Sequence, residues 1–137
     1  MATILLVEDE PLIRSLYLTV LKQCSYELLS AAEEQEALGI IRRKLPELIL
    51  LDLLIPSLKT PDVPEPFHNP VGFNILREVQ VLRKRARAGH KLRVVVLSNL
   101  DSDEHRARAR ELGAEDYWVK SALNPRDLPE RLQALLG

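Results

Sequence analysis

The chain has 137 residues, 46% of them hydrophobic and 28% charged, with a formal net charge of -1. This balance suits one soluble globular domain with a single core. Near-neutral charge and only 4% aromatic residues argue against a broad surface for nucleic acid or an anionic membrane. The single cysteine, Cys24, rules out an internal disulfide and fits a reducing compartment. Near the end of a predicted helix, it reads as a half-buried small hydrophobe. No basic stretch or long apolar run precedes the first strand, so no signal peptide or transmembrane helix is expected and the cytoplasm is the default location.

Strand and helix patterns then alternate five times. Residues 3–7 read as a strand. Residues 11–24 read as a helix, with Pro11 in its first turn and Leu12, Leu16, Tyr17, Val20 and Leu21 on one face. Residues 27–31 form a short second strand, and 34–44 a helix carrying Ala37, Leu38 and Ile41. Residues 47–51 are the third strand. Residues 72–88 form a long helix, with Ile75, Leu76, Val79 and Leu82 at helical spacing. Residues 92–97 make the fourth strand. Residues 103–112 are a helix that Gly113 is placed to end. Residues 116–119 are the fifth strand, and 126–136 the last helix, with Leu128, Leu132 and Leu135 in register. Such alternation implies right-handed βαβ units, hence an α/β domain with a doubly wound five-stranded parallel sheet and helices on both faces. No repeat or second domain is visible, and no output domain is expected after the fifth helix.

One stretch breaks the rhythm. Residues 56–71 contain Pro56, Pro61, Pro64, Pro66 and Pro70 without apolar periodicity. Prolines at that density exclude helix and central strand. The segment leaves the third strand directly after Asp52, so it must rise from the same sheet edge.

That edge carries the chemistry. Leu48-Ile49-Leu50-Leu51 ends in Asp52, and Ile4-Leu5-Leu6-Val7 ends in Glu8-Asp9-Glu10. Both runs have the composition of strands buried on both faces. Ligands of open α/β sheets bind outside the carboxyl ends of the strands, so the two acidic tips meet in one crevice. Crowded carboxylates need a compensating cation, and an all-oxygen set suits Mg²⁺ paired with a substrate phosphate. A carboxylate there is a candidate nucleophile for phosphoryl transfer. Ser98 ends the fourth strand and Lys120 the fifth, with Tyr117 three residues earlier. Singly, each of these is more often a turn former, a solvated lysine or a half-buried sheet residue. Together with Asp52 they share one sheet edge.

With Ile4–Pro11, Leu50–Pro56, Val95–Ser98 and Gly113–Lys120 in this order, the chain resembles the receiver domain of two-component response regulators over nearly its whole length. The fold expected is then flavodoxin-like, with strand order 2-1-3-4-5. The resemblance implies that Asp52 accepts a phosphoryl group from a histidine kinase. Glu8, Asp9, Asp52 and the backbone carbonyl of Leu54 would hold Mg²⁺, Glu8 through water. Lys120 would pair with Asp52 and then with a phosphoryl oxygen. The Ser98 hydroxyl would be drawn toward the phosphoryl group, and Tyr117 would change rotamer into the vacated space. Output would run through the face of the fourth helix, fifth strand and fifth helix to a protein partner or a phosphorylation-dependent dimer. Relay to a histidine phosphotransfer protein is the alternative route. Enzymatic activity would be confined to self-phosphorylation and self-dephosphorylation. Two rival readings are a phosphorylation-independent interaction module and an aspartyl-phosphate hydrolase, against which the lack of a substrate-capping domain counts.

The chain departs from the pattern in three places. Residues 57–71 replace a short turn, as either a surface insertion without a role or a partner-recognition segment or lid; Asp62, Glu65 and His68 within it read as solvated. Asn99 follows Ser98 where a small residue is usual, and is expected to narrow access to Asp52. Ser121 replaces a common proline after Lys120. The cationic run Arg83, Lys84, Arg85, Arg87, His90, Lys91 and Arg93 reads as a solvated helix end. Arg106, Arg108 and Arg110 are candidates for choosing a partner.

Overall fold

The structure, a computed structural model, describes residues 2–56, 70–85 and 92–136. Five strands form its sheet: β1 (Thr3–Val7), β2 (Glu27–Ala31), β3 (Leu48–Leu51), β4 (Arg93–Ser98) and β5 (Asp116–Val119). All pairings are parallel and the spatial order is β2-β1-β3-β4-β5, the order expected. Helices α1 (Pro11–Leu21), α2 (Glu34–Lys44), α3 (Gly72–Arg85), α4 (Asp103–Glu111) and α5 (Leu128–Leu136) connect and follow the strands.

Period-two alternation along each strand divides the core in two. Leu5, Val7, Ile49, Leu51, Val94 and Val96 pack toward α2, α3 and α4, against Ile41, Phe73 and Ala109 among others. Ile4, Leu6, Leu48, Leu50, Val95 and Leu97 face α1 and α5, meeting Tyr17, Leu21, Leu128 and Leu132. The central strands are therefore apolar through Ile4–Val7, Leu48–Leu51 and Val94–Leu97, which is why they read as continuous hydrophobic runs.

The helix ends follow local chemistry. Pro11 opens α1. The Glu33 carboxylate accepts the amides of Gln35 and Glu36 and caps α2. Gly113 follows α4 at φ 99°, a conformation costly for any other residue, and a Cβ there would lie 2.8 Å from Arg83 Nη1. The 14-residue α3 reaches Arg85, and the expected continuation to residue 88 lies outside the described residues.

Three expectations need correction. Helix α1 ends at Leu21, not Cys24, and buries Tyr17 and Leu21 while Leu12 is 80% and Leu16 44% exposed. Leu12 and Leu16 lie four residues apart on a flank that lines a cleft rather than the sheet. Helix α5 starts at Leu128, because Pro125–Asp127 is a 3-10 turn capped by the Asn124 side chain. The cationic run is not uniformly solvated: Arg83 Nε donates to the Leu92 carbonyl at 2.8 Å, and Arg93 pairs with Glu115. Arg87, His90 and Lys91 lie outside the described residues, as do residues 57–69 of the insertion with Asp62, Glu65 and His68.

Candidate functional site

A cleft of about 710 Å³ opens at the carboxyl edge of the sheet, lined by Glu8, Asp9, Asp52, Leu54, Asn99 and Lys120 with one flank of α1. Its floor is built by main-chain bonds that carry the sheet past its last paired residues. The Glu8 amide donates to the Ala31 carbonyl at 2.9 Å, and the Asp52 amide to that of Val7 at 3.0 Å. Both side chains are nearly sealed, Glu8 at 2% and Asp52 at 5% exposure. On the far side of the insertion, the Gly72 amide donates to the Leu53 carbonyl at 2.9 Å, bringing α3 under the tip of β3. A Cβ on Gly72 would lie 2.5 Å from the Leu53 Cα and 3.0 Å from the Asp52 carbonyl oxygen, so only glycine allows this approach.

Asp52 is the hub. Its Oδ1 accepts the Leu54 amide at 3.0 Å and the Ser98 hydroxyl at 2.8 Å. Its Oδ2 accepts Lys120 Nζ at 2.6 Å, and the same ammonium donates to Glu8 Oε2 at 2.6 Å. One lysine thus bridges two buried carboxylates. Burial works against the Lys120 ammonium, but hydrogen bonds to Asp52 and Glu8 outweigh it and raise its pKa. Burial, with Asp52 alongside, pushes Glu8 from 4.5 up to about 7, despite Lys120.

The acidic tips do converge: carboxylate oxygens of Glu8, Asp9 and Asp52 all lie within 4.8 Å of one another, a group that could hold a metal ion. Glu8 Oε1 is buried without a hydrogen-bond partner, and such an orphan calls for a cation or a proton. Asp9 is exposed at the mouth. Leu54 contributes its amide to Asp52 and lies on the cleft wall.

The β4 and β5 tips close the other side. Ser98 is fully buried, and its hydroxyl donates to Asp52. The Tyr117 hydroxyl donates to the Leu100 carbonyl at 2.6 Å; burial raises its pKa to about 12 and keeps it a donor. Arg106 covers the Tyr117 ring at 5.1 Å and pairs with Asp101. Arg108 stacks over Phe73, which leaves Arg110 as the exposed member of the arginine trio. The Asn99 amide oxygen accepts the Ser121 N–H at 3.0 Å. Sequence reasoning marked both residues as departures but missed their bond, along with the Lys120–Glu8 bridge and the packing role of Gly72. The signal for Gly72 was present, since it is the first non-proline punctuation after the insertion.

A model of the response regulator receiver domain matches residues 4–133. A probable transcriptional regulator, ycf27, of Porphyridium aerugineum is 33% identical over 97% of this chain and 47% of its own length. The phosphate regulon transcriptional regulatory protein PhoB of Pseudomonas aeruginosa is 31% identical over 98% of this chain and 51% of its own. The chain thus spans about half the length of the curated relatives it matches. Among solved structures, a CheY-like response regulator receiver domain protein of Methanospirillum hungatei superposes with a TM-score of 0.78 at 25% identity, covering 99% of this chain and 94% of that one. Matched along nearly its full length by sequence and by fold, the chain belongs to the response regulator receiver domain family of two-component systems.

Proposed function

We propose that this receiver takes a phosphoryl group on Asp52 from the phosphohistidine of a histidine kinase or a histidine phosphotransfer protein, in a Mg²⁺-dependent step. The observation that carries the reading is the Asp52 carboxylate, sunk in a cleft with two further carboxylates and bridged by one lysine. In the transfer, a carboxylate oxygen of Asp52 bonds to phosphorus as the donor's N–P bond breaks. The electron pair of that bond returns to the imidazole nitrogen. Lys120 is within reach of charge developing on a phosphoryl oxygen, and the Ser98 hydroxyl offers a second donor on the β4 side. Glu8, Asp9, Asp52 and the Leu54 carbonyl would hold Mg²⁺, which supplies charge neutralisation at the phosphoryl oxygens when bound. The orphan Glu8 Oε1 and the excess of carboxylates over cations support that fit.

The exposed Leu12 and Leu16 flank beside the cleft suits an apolar helix face on the donor. An aspartyl phosphate adds close to two negative charges at the floor. The Ser98 loop and Tyr117 would carry the change to the face of α4, β5 and α5, where a downstream protein or a second copy would bind. Turnover is limited to the protein's own phosphorylation and dephosphorylation. The test is intact mass after incubation with acetyl phosphate, with and without Mg²⁺, for wild type and Asp52→Asn. A metal-dependent gain of one phosphoryl group, absent in Asp52→Asn, is expected. No gain in wild type, with no binding of a beryllium fluoride mimic, would overturn the reading and favour a phosphorylation-independent module.

A further inference from the structure

Lys120 is the first residue of a 3-10 turn, Lys120–Ala122, and the residue in the capping position is Val119. Valine has no side-chain acceptor, and no side-chain cap is made from that position. The first amides of such a turn lack partners within it and need one from elsewhere. The Ser121 amide finds it 22 positions away, in the Asn99 Oδ1 at 3.0 Å. Serine at 121 matters here, because a proline would have no N–H to give.

Asn99 sits in the middle of three consecutive residues that each fasten a different part of the site. Ser98 Oγ holds Asp52 at 2.8 Å, Asn99 Oδ1 holds the turn of Lys120, and the Leu100 carbonyl holds the Tyr117 hydroxyl at 2.6 Å. We propose that Asn99 is a positioning residue for chemistry at Asp52. By capping the Lys120 turn from the β4 loop, it sets where the Lys120 ammonium stands and ties that ammonium to the motion of the Ser98 loop. This rests on the phosphoryl-acceptor reading and adds to it a side chain whose partner is the Ser121 amide, not Asp52 or Lys120. It also redefines what the side chain does: Asn99 spans from the β4 tip to the β5 tip instead of simply filling the approach to Asp52.

A hydrogen bond of this kind is worth about a threefold to tenfold change in a rate that depends on it. Two measurements on the full chain test the inference. The first is hydrogen exchange of the Ser121 amide by NMR, in wild type and Asn99→Ala, without any phosphodonor. Faster exchange at Ser121 in Asn99→Ala is expected, and unchanged exchange overturns the cap. The second is the rate of phosphoryl gain from acetyl phosphate with Mg²⁺, in wild type, Asn99→Ala, Lys120→Ala and the double variant. Asn99→Ala should slow the gain about threefold to tenfold, and should add nothing once Lys120 is absent. An Asn99→Ala effect of the same size in the Lys120→Ala background would overturn the inference, since a purely steric or structural role predicts additivity. If wild type gains no phosphoryl group, the acceptor reading has failed and the inference falls with it. If wild type gains one and Asn99→Ala matches it, the inference alone has failed.

Discussion

The two sides of the cleft are fastened differently. At the β1 and β3 tips, main-chain bonds do the holding: Glu8 to Ala31, Asp52 to Val7, Gly72 to Leu53. At the β4 and β5 tips, side chains do it: Ser98 to Asp52, Asn99 to Ser121, Tyr117 to Leu100. Main-chain bonds continue the sheet, and they can be lost only by unfolding its end. Side-chain bonds can exchange partners through a rotamer change within an intact fold. A site that keeps a nucleophile still while its surroundings switch needs both kinds. The proposed acceptor stands on the fixed side, and the groups proposed to respond stand on the exchangeable side. Ser98 and Lys120 both reach across, and Lys120 makes the larger join, bonded to Glu8 and Asp52 together from the end of β5.

Breaking that join should have the largest effect. Lys120→Ala leaves two nearly sealed carboxylates facing each other without a cation, and is expected to cost about 3 kcal/mol in urea unfolding of the metal-free protein. Added Mg²⁺ should recover part of that loss. A cost below about 1 kcal/mol without metal would mean that the bridge is solvated rather than structural.

Gly72→Ala probes the fixed side. The new Cβ would press on the main chain of Leu53 at 2.5 Å, and overpacking against a backbone that cannot turn aside costs about 1–3 kcal/mol. The unfolding midpoint should drop, and the β3 tip should lose amide protection. An unchanged midpoint would show that the fixed side yields more easily than its bonding suggests.

A pH series sharpens the electrostatics. Glu8 titrates at about 7 in the folded protein against an ordinary 4.5. The native state therefore keeps a proton that the unfolded chain releases. The stability this contributes is complete below about 4.5 and is lost as pH rises toward about 7. Metal-free wild type should become easier to unfold over that window, and Glu8→Gln should flatten the dependence. A dependence that persists in Glu8→Gln would place the titration elsewhere.

Tyr117→Phe should have the smallest effect on stability, about 1 kcal/mol for one hydrogen bond to the Leu100 carbonyl. Its chemical rate should match wild type while the response of α4 is altered. An altered rate of phosphoryl gain would move Tyr117 from the proposed switch into the chemistry.

How legible these two sides were follows from how each is made. The fixed side is written in local pattern: Ile4–Val7 and Leu48–Leu51 are apolar at every position because both faces are covered, and the acids follow at once. Strand order, the parallel sheet and the meeting of Glu8, Asp9 and Asp52 came from that pattern and the resemblance it supports. The exchangeable side depends on pairings between residues far apart in sequence, such as Asn99 with Ser121 and Lys120 with Glu8, which no local period encodes. The α1 flank misled for a related reason. Leu12 and Leu16 have the spacing of core residues, but the helix overhangs the cleft there. Arg83 and Arg93 look like solvated cations in sequence, yet they reach back to Leu92 and Glu115.

The most direct test of the two-sided account is an NMR amide-shift map on adding beryllium fluoride and Mg²⁺, in wild type and Asp52→Asn. The shifts are expected to extend from the cleft to residues 98–102, 117 and 120–121 and onward into α4, and to vanish in Asp52→Asn. Shifts confined to Glu8–Glu10 and Asp52–Leu54, with the β4 and β5 tips unmoved, would contradict it.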